Sequence, residues 1–274
     1  MPELPEVETV RKTLKTLVLD KEIKDVSIFW GNIIKKPQDP EIFKSLLIGQ
    51  KLQDIMRQGK FLIFKMTDIT MVSHLRMEGK FGLYEGSEPR AKHTHVVFHF
   101  TDGTELRYND VRKFGTMHLF NKGEEGQEKP LNQLGPDPFA PAFTIDYFLE
   151  KLQKTTRNIK AVLLDQSIVA GLGNIYVDEA LFRARIHPER TAKDLTREEA
   201  EQVREKSIET ILEAVEQGGT TIRTYLNGQG EMGMFQQKLN VYGKENTECP
   251  GCGTPIVKLK VSGRGTHICP DCQV

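Results

Sequence analysis

The sequence predicts an α+β protein: an N-terminal helix and an antiparallel β-sandwich, then a helical domain, then a short C-terminal β-ribbon. Three observations carry this. Apolar residues recur every three or four positions over 3–18, switch to every second position from about 22 to 120, and return to helical spacing between 144 and 217. A proline-rich stretch without period, LGPDPFAPAF, lies at 134–143. All four cysteines fall within the last 26 residues.

The first helix rests on Leu4, Val7, Val10, Leu14 and Leu17, with Pro5 tolerated in its first turn. The alternating region predicts strands at 23–29, 60–66, 70–76, 80–84, 94–100, 105–109 and 115–120. THVVFHFTDGTELRY reads as a hairpin with Asp102-Gly103 in its turn. Helices are expected at 144–153, 157–166, 174–184 and 196–217, the last ended by Gly218-Gly219. The polar stretch from 220 to 238 is expected to be a mobile loop. The predicted organisation is a β-sandwich domain at 1–133, a linker at 134–142, a helical domain at 143–238 and the ribbon at 239–274.

The chain has 274 residues, 38% hydrophobic and 28% charged, enough for a core that needs no disulfides. No apolar run approaches the ~20 residues of a membrane span. The start MPELPEVETV carries acids and prolines that a secretory signal lacks, so the cytoplasm is the expected location. Thirty-eight Lys and Arg balance 38 Asp and Glu. That balance counts against a uniformly basic nucleic-acid binder, so any such role rests on local sites.

The cysteines form two CxxC pairs, Cys249/Cys252 and Cys269/Cys272, with 16 residues between them. This is the spacing of a four-thiolate zinc site. Four thiolates leave the metal no open position, so one structural Zn2+ is expected. VSGRGTH, the expected ribbon tip, presents Arg264, which suits a phosphate contact and, taken alone, reads equally well as a turn residue.

Other residues admit two readings each. Removal of Met1 before the small Pro2 would leave a secondary amine, partly neutral near pH 7, that can attack a carbonyl or a sugar carbon. Glu3 beside it can move protons. Taken alone, the pair reads more readily as a helix start. Lys60, alone, reads as a solvated strand-end lysine. In HLRMEGK, and in YNDVRKFG with the residue before it, the basic residues Arg76, Arg107, Arg112 and Lys113 are candidates for a charged face, with Met77 and Phe114 beside them. Such a group can wedge between DNA bases. On pattern alone a core methionine and a core phenylalanine are preferred. GLGNIY (171–176) places glycines before a helix, where N–H groups and Asn174 can hold a phosphate. Taken alone, such a glycine turn is more often only a tight connection between helices.

Together, PELPEVETV, SHLRMEGK, RKFG, GLGNIY, the His187-Pro188 pair, VYG at 241–243 and CPGCG…GRGTHICPDC resemble the formamidopyrimidine-DNA glycosylase family, in order from the second residue to the last. The resemblance implies a bifunctional glycosylase and abasic-site lyase of base excision repair, acting on oxidised purines in double-stranded DNA. It makes the helical domain a helix–two-turn–helix and the 220–238 loop a cap over the everted base. By that resemblance Pro2 is the Schiff-base nucleophile and Glu3 the proton shuttle. Lys60 serves β-elimination, and Arg264 grips the lesion phosphates and serves δ-elimination. Asn174 binds the same phosphates. Met77, Arg112 and Phe114 fill the vacated stack, with Arg112 facing the orphan cytosine. His74, His93 and Tyr242 match DNA-contacting positions.

Two positions depart from the family pattern: Arg185 stands where glycine is expected, and Gly228 adds freedom to NGQGEMG. The alternatives are an oxidised-pyrimidine enzyme of the same superfamily and a non-catalytic zinc-finger nucleic-acid binder. A pure binder has no reason to hold Pro2, Glu3 and Lys60 together. The chain is expected to act as a monomer, bound through DNA to the nucleoid.

Overall fold

The computed structural model describes residues 1–220 and 233–274. The chain divides into two compact units, residues 1–132 with 220–233, and residues 133–219 with 234–274.

In the first unit, helix α1 (Leu4–Val18) is followed by β1 (Ile23–Ile28), β2 (Ile34–Lys36), α2 (Pro40–Leu47), β3 (Leu52–Gln58), β4 (Phe61–Met66), β5 (Ile69–His74), β6 (Lys80–Glu85), β7 (Thr94–Phe100), β8 (Thr104–Asn109) and β9 (Thr116–Asn121). The strands form a four-stranded sheet, β1-β7-β8-β6, and a five-stranded sheet, β2-β9-β5-β4-β3. All pairings are antiparallel except the short edge pair of β2 with β9. One apolar core joins both sheets to α1 and α2, through residues such as Val26, Phe43, Phe64, Met71, Phe98 and Leu106. The i, i+3, i+7, i+11 spacing of Val7, Val10, Leu14 and Val18 puts all four on that core. Each such burial stabilises by about 1.5–3 kcal/mol, and Leu14→Ala would cost about 2–5 kcal/mol.

The predicted strands are present within two residues at each end. The β7–β8 connection closes on Gly103 at φ 90, and the Asp102 carboxylate accepts the Thr104 N–H at 2.9 Å. The alternation did not reveal α2 or β3. Helix α2 is announced by Asp39, whose side chain caps the Glu41 N–H at 2.8 Å, and by Pro40 in the first turn. Strand β3 carries a register shift between Leu52 and Asp54, which breaks the period of two.

The second unit contains α3 (Ile145–Gln153), α4 (Ile159–Leu164), α5 (Asn174–Ala184), α6 (Arg197–Glu216), and the ribbon strands β10 (Val257–Val261) and β11 (Arg264–Ile268). Thr144, Asn158 and Thr196 cap the first, second and fourth of these helices. The 134–143 stretch forms neither helix nor strand. It is fastened to this unit, with the Gly135 N–H on the Gln166 carbonyl (2.9 Å) and the Ala170 N–H on that of Pro136 (2.9 Å).

Most of the expected capping loop, residues 221–232, lies outside the described residues. Its last part is not a loop: Phe235–Lys238 is a 3-10 turn, with Phe235 buried and its ring 5.7 Å from that of Tyr176. Arg185 caps α5 in the left-handed conformation, φ 59 and ψ 31, which is why glycine suits this position.

Candidate active site and nucleic-acid interface

In the first unit, Pro2 is buried and Glu3 is 3% exposed. Glu3 is the N-cap of α1 and forms a capping box with Glu6. Its N–H donates to Glu6 Oε2 at 2.8 Å, while Glu6 Oε1 accepts the Thr220 N–H at 2.8 Å. The helix-start reading and the chemical reading of Pro2-Glu3 are therefore compatible. The cap fixes the backbone that carries both groups.

Lys60 is 6% exposed, not the solvated strand-end residue that its position between strands implies when taken alone. The turn before it is set by Gly59 at φ 55 and by Arg57, which donates to the Gly59 carbonyl at 2.9 Å. Arg57 is itself held by Glu8 at 3.1 Å, and Glu8 is shared with Arg11 at 2.7 Å. Burial pushes the Glu8 carboxyl up, but Arg11 and Arg57 together hold it below its ordinary range.

His74 is 7% exposed and packs edge-on against Phe61, ring centres 4.5 Å apart. Burial, and then the charges of Arg76 and Lys60, lower its pKa to about 3, so the ring is neutral. Its Nδ1 accepts the Arg76 N–H at 2.8 Å, which places the proton on Nε2. The imidazole thus shapes the turn leading to Met77 and has one N–H to offer.

Met77 is half-buried, Arg112 is exposed and Phe114 is 51% exposed. The core reading of Phe114 does not hold. The Arg112 guanidinium lies over the Phe114 ring at 4.8 Å, and the Lys113 ammonium lies over Trp30 at 4.0 Å. Arg107 is corrected in the opposite direction. It is 3% exposed, paired with Glu105 at 2.8 Å, and donates to the carbonyls of Glu88 (2.7 Å) and Pro89 (3.1 Å). It holds the loop before His93 instead of joining a charged face. His93 is half-buried, and its carbonyl accepts the Asp110 N–H at 3.0 Å.

In the second unit, the ribbon turns through Ser262 and Gly263, both at positive φ, and Arg264 follows, exposed at the tip. Asn174 opens α5, and its Nδ2 donates to the Gly265 carbonyl at 2.8 Å, bringing the glycine turn and the Arg264 tip together. Two anchors that motif reading missed fix this arrangement. Lys160 and Asp178, both fully buried, pair at 2.5 Å. Lys160 also donates to Thr266 Oγ1 at 2.7 Å, and Asp178 accepts the His267 N–H at 2.9 Å. Removing one partner of such a pair costs about 3–5 kcal/mol. Glu179, equally buried, accepts the N–H groups of Asn240, Val241 and Tyr242 at 2.8, 2.9 and 2.9 Å. The Tyr242 ring meets His267 at 4.9 Å. The available signal was two adjacent acids set between the apolar runs 175–177 and 180–182 of α5.

The thiols of Cys249, Cys252, Cys269 and Cys272 all lie within 4.8 Å of one another. Cys249 and Cys272 are 3.9 Å apart, and Cys252 and Cys269 are 3.4 Å apart. A tetrahedral zinc with bonds of about 2.3 Å sets its sulfurs about 3.8 Å apart, so the four thiols fit one structural Zn2+. A small core of Val241, Ile256 and two of the cysteines lies beneath them.

A buried proline and acid, exposed basic and aromatic loops, and an arginine-tipped ribbon with four clustered thiols are the features expected of a DNA-processing enzyme. The comparisons agree. Residues 1–117 match the formamidopyrimidine-DNA glycosylase N-terminal domain, 134–226 its H2TH domain, and 248–274 the zinc finger found in FPG and IleRS. The formamidopyrimidine-DNA glycosylases of Cytobacillus firmus and Bacillus licheniformis are each 60% identical, over 100% of this chain and 100% and 99% of theirs.

Among solved structures, a Lactococcus lactis FPG variant with Fapy-dG-containing DNA superposes with a TM-score of 0.93 at 42% identity, covering 99% of both chains. The wild-type Lactococcus lactis enzyme with oxidised-pyrimidine-containing DNA gives 0.92 at 41%, again over 99% of both. This chain belongs to the formamidopyrimidine-DNA glycosylase family, the DNA glycosylases of base excision repair. No helix among the described residues is long and apolar enough to cross a membrane.

Proposed function

We propose that the chain excises oxidised purines, 8-oxoguanine and formamidopyrimidines, from double-stranded DNA and then cleaves the strand at the abasic site. Pro2, freed of Met1, attacks C1′ with its neutral nitrogen. The glycosidic bond breaks and an iminium to the sugar forms. Glu3 moves the protons of ring opening, and Lys60 and Arg264 assist the β- and δ-eliminations that release the 3′ and 5′ phosphates. Arg264 and Asn174 hold the lesion phosphates, and Met77, Arg112 and Phe114 occupy the space left by the everted nucleotide, offsetting part of its unstacking cost of a few kcal/mol. Zinc, when bound, supplies no chemistry and stiffens the Arg264 tip.

The observation that carries this reading is the buried Pro2-Glu3 start, fixed by its capping box in a chain that matches the family throughout. A relative solved on oxidised-pyrimidine DNA supplies the competing lesion class. Cleavage of 8-oxoguanine:C and thymine-glycol duplexes, compared side by side, tests it. The purine lesion is expected to be processed faster, and the reverse order would overturn the purine assignment.

A further inference from the structure

The two loops assigned to the vacated stack are separate crossings between the two sheets: residues 75–79 join β5 to β6 and carry Met77, and residues 110–115 join β8 to β9 and carry Arg112 and Phe114. They converge on one side chain. Tyr108, in β8, is fully buried with its ring 5.0 Å from that of Phe81. Its hydroxyl sits between Gly79 of the first loop and Gly115 of the second. A Cβ at either glycine would fall well inside van der Waals contact with the hydroxyl oxygen.

The same hydroxyl donates to Asp110 Oδ2 at 3.4 Å. That oxygen also accepts the Phe114 and Gly115 N–H groups, both at 2.9 Å, while Oδ1 accepts the Arg112 N–H at 3.0 Å. Asp110 is itself fixed: its carbonyl bonds His95 Nε2 at 2.8 Å. On the other side, the Gly79 N–H closes the Met77 turn on the Leu75 carbonyl at 2.9 Å. One carboxylate therefore organises the Arg112–Phe114 loop, and one phenol joins that loop to the Met77 turn.

We infer that Tyr108 is a positioning residue that locks the two loops together, so that Met77 and Phe114 enter the vacated stack as one unit. The inference rests on the assignment of Met77, Arg112 and Phe114 to that space. Phenylalanine at 108 keeps the ring and its packing on Phe81 but removes the atom between the glycines. Side chains that act as a unit show non-additive losses, whereas independent ones multiply.

The test is a double-mutant cycle, Met77→Ala against Phe114→Ala, on 8-oxoguanine:C excision under single turnover, run in the wild-type and Tyr108→Phe backgrounds. In the wild type, the double variant should be roughly fivefold or more faster than the product of the single losses predicts. With Tyr108→Phe, the losses should multiply to within about twofold. Cleavage of a preformed abasic site by Tyr108→Phe, which needs no damaged base to be everted, should stay near wild type. Equal coupling in both backgrounds, or a parallel fall of excision and abasic-site cleavage, would overturn the inference and leave the assignment of the loops intact. Single variants that excise at the wild-type rate would instead sink that assignment, and the inference with it.

Discussion

The two units solve opposite problems. In the first, the groups proposed for chemistry are withdrawn from water: Glu3 and Lys60, like the DNA-contacting candidate His74, are less than a tenth exposed, and each is fixed by its own turn or cap. In the second, the group proposed to grip DNA is fully presented. Arg264 stands at a hairpin tip, and the rigidity comes from beneath it, through Lys160–Asp178, the Asn174 bond to Gly265 and the cysteine cluster. A proton shuttle gains from a low-dielectric setting that controls its protonation. A phosphate contact needs an accessible charge whose position is set before the ligand arrives. Burying the supports and exposing the tip meets the second need without burying an unpaired charge.

The contrast is sharpest under metal removal. Without zinc, the small ribbon core should not hold its fold. Binding to abasic-site DNA should weaken by roughly a hundredfold or more, since the Arg264 tip goes with it. The single tryptophan, Trp30, lies in the first unit, so its emission should be unchanged. A shift in Trp30 emission on chelation would break the separation between the units.

Arg264→Ala should weaken DNA binding by about tenfold and lower the salt dependence of log K by about one ion, because a single phosphate contact is lost. Titrations at several salt concentrations read both. An unchanged slope would remove Arg264 from the phosphates.

His74 gives the buried site a pH signature. Its folded pKa, about 3, lies below the ordinary 6.5, so its contribution to stability is fully present above pH 6.5 and is lost as pH falls toward 3. The slope is at most about 1.4 kcal/mol per pH unit. Urea unfolding at pH 7, 6 and 5 should show a shallower pH dependence for His74→Gln than for the parent chain.

The smallest effect concerns the second unit's backbone. Arg185→Gly should relieve the left-handed cap of α5, gaining about 1 kcal/mol and roughly 3 °C in Tm.

Much of this site was legible from residue types that chemistry cannot replace. The CxxC pairs carry their meaning in the local sequence, as do the capped helices and the period-two strands, whereas Pro2 and Arg264 take theirs only from the whole set of motifs in order. The supports were not legible, because their partners are remote in the chain. Lys160 meets Asp178 18 residues on and Thr266 106 residues on, and nothing local marks it as buried. Arg107 and Lys60 were misjudged for the same reason. A charge on a strand looks solvated until the fold supplies carbonyls, acids or a covered turn around it. Tyr108 sits in an ordinary strand pattern, and its meaning appears only where two glycines from separate sheet-to-sheet loops close on its hydroxyl.

The central claim is that a buried chain-terminal amine, freed by loss of Met1, does the chemistry. Borohydride added during turnover on 8-oxoguanine DNA, followed by peptide mapping and intact mass, tests it most directly. The account predicts a covalent DNA adduct on the N-terminal peptide, attached at Pro2, in protein that lacks Met1. Full activity in protein that retains Met1, or an adduct mapped to Lys60 or any other lysine, would contradict it.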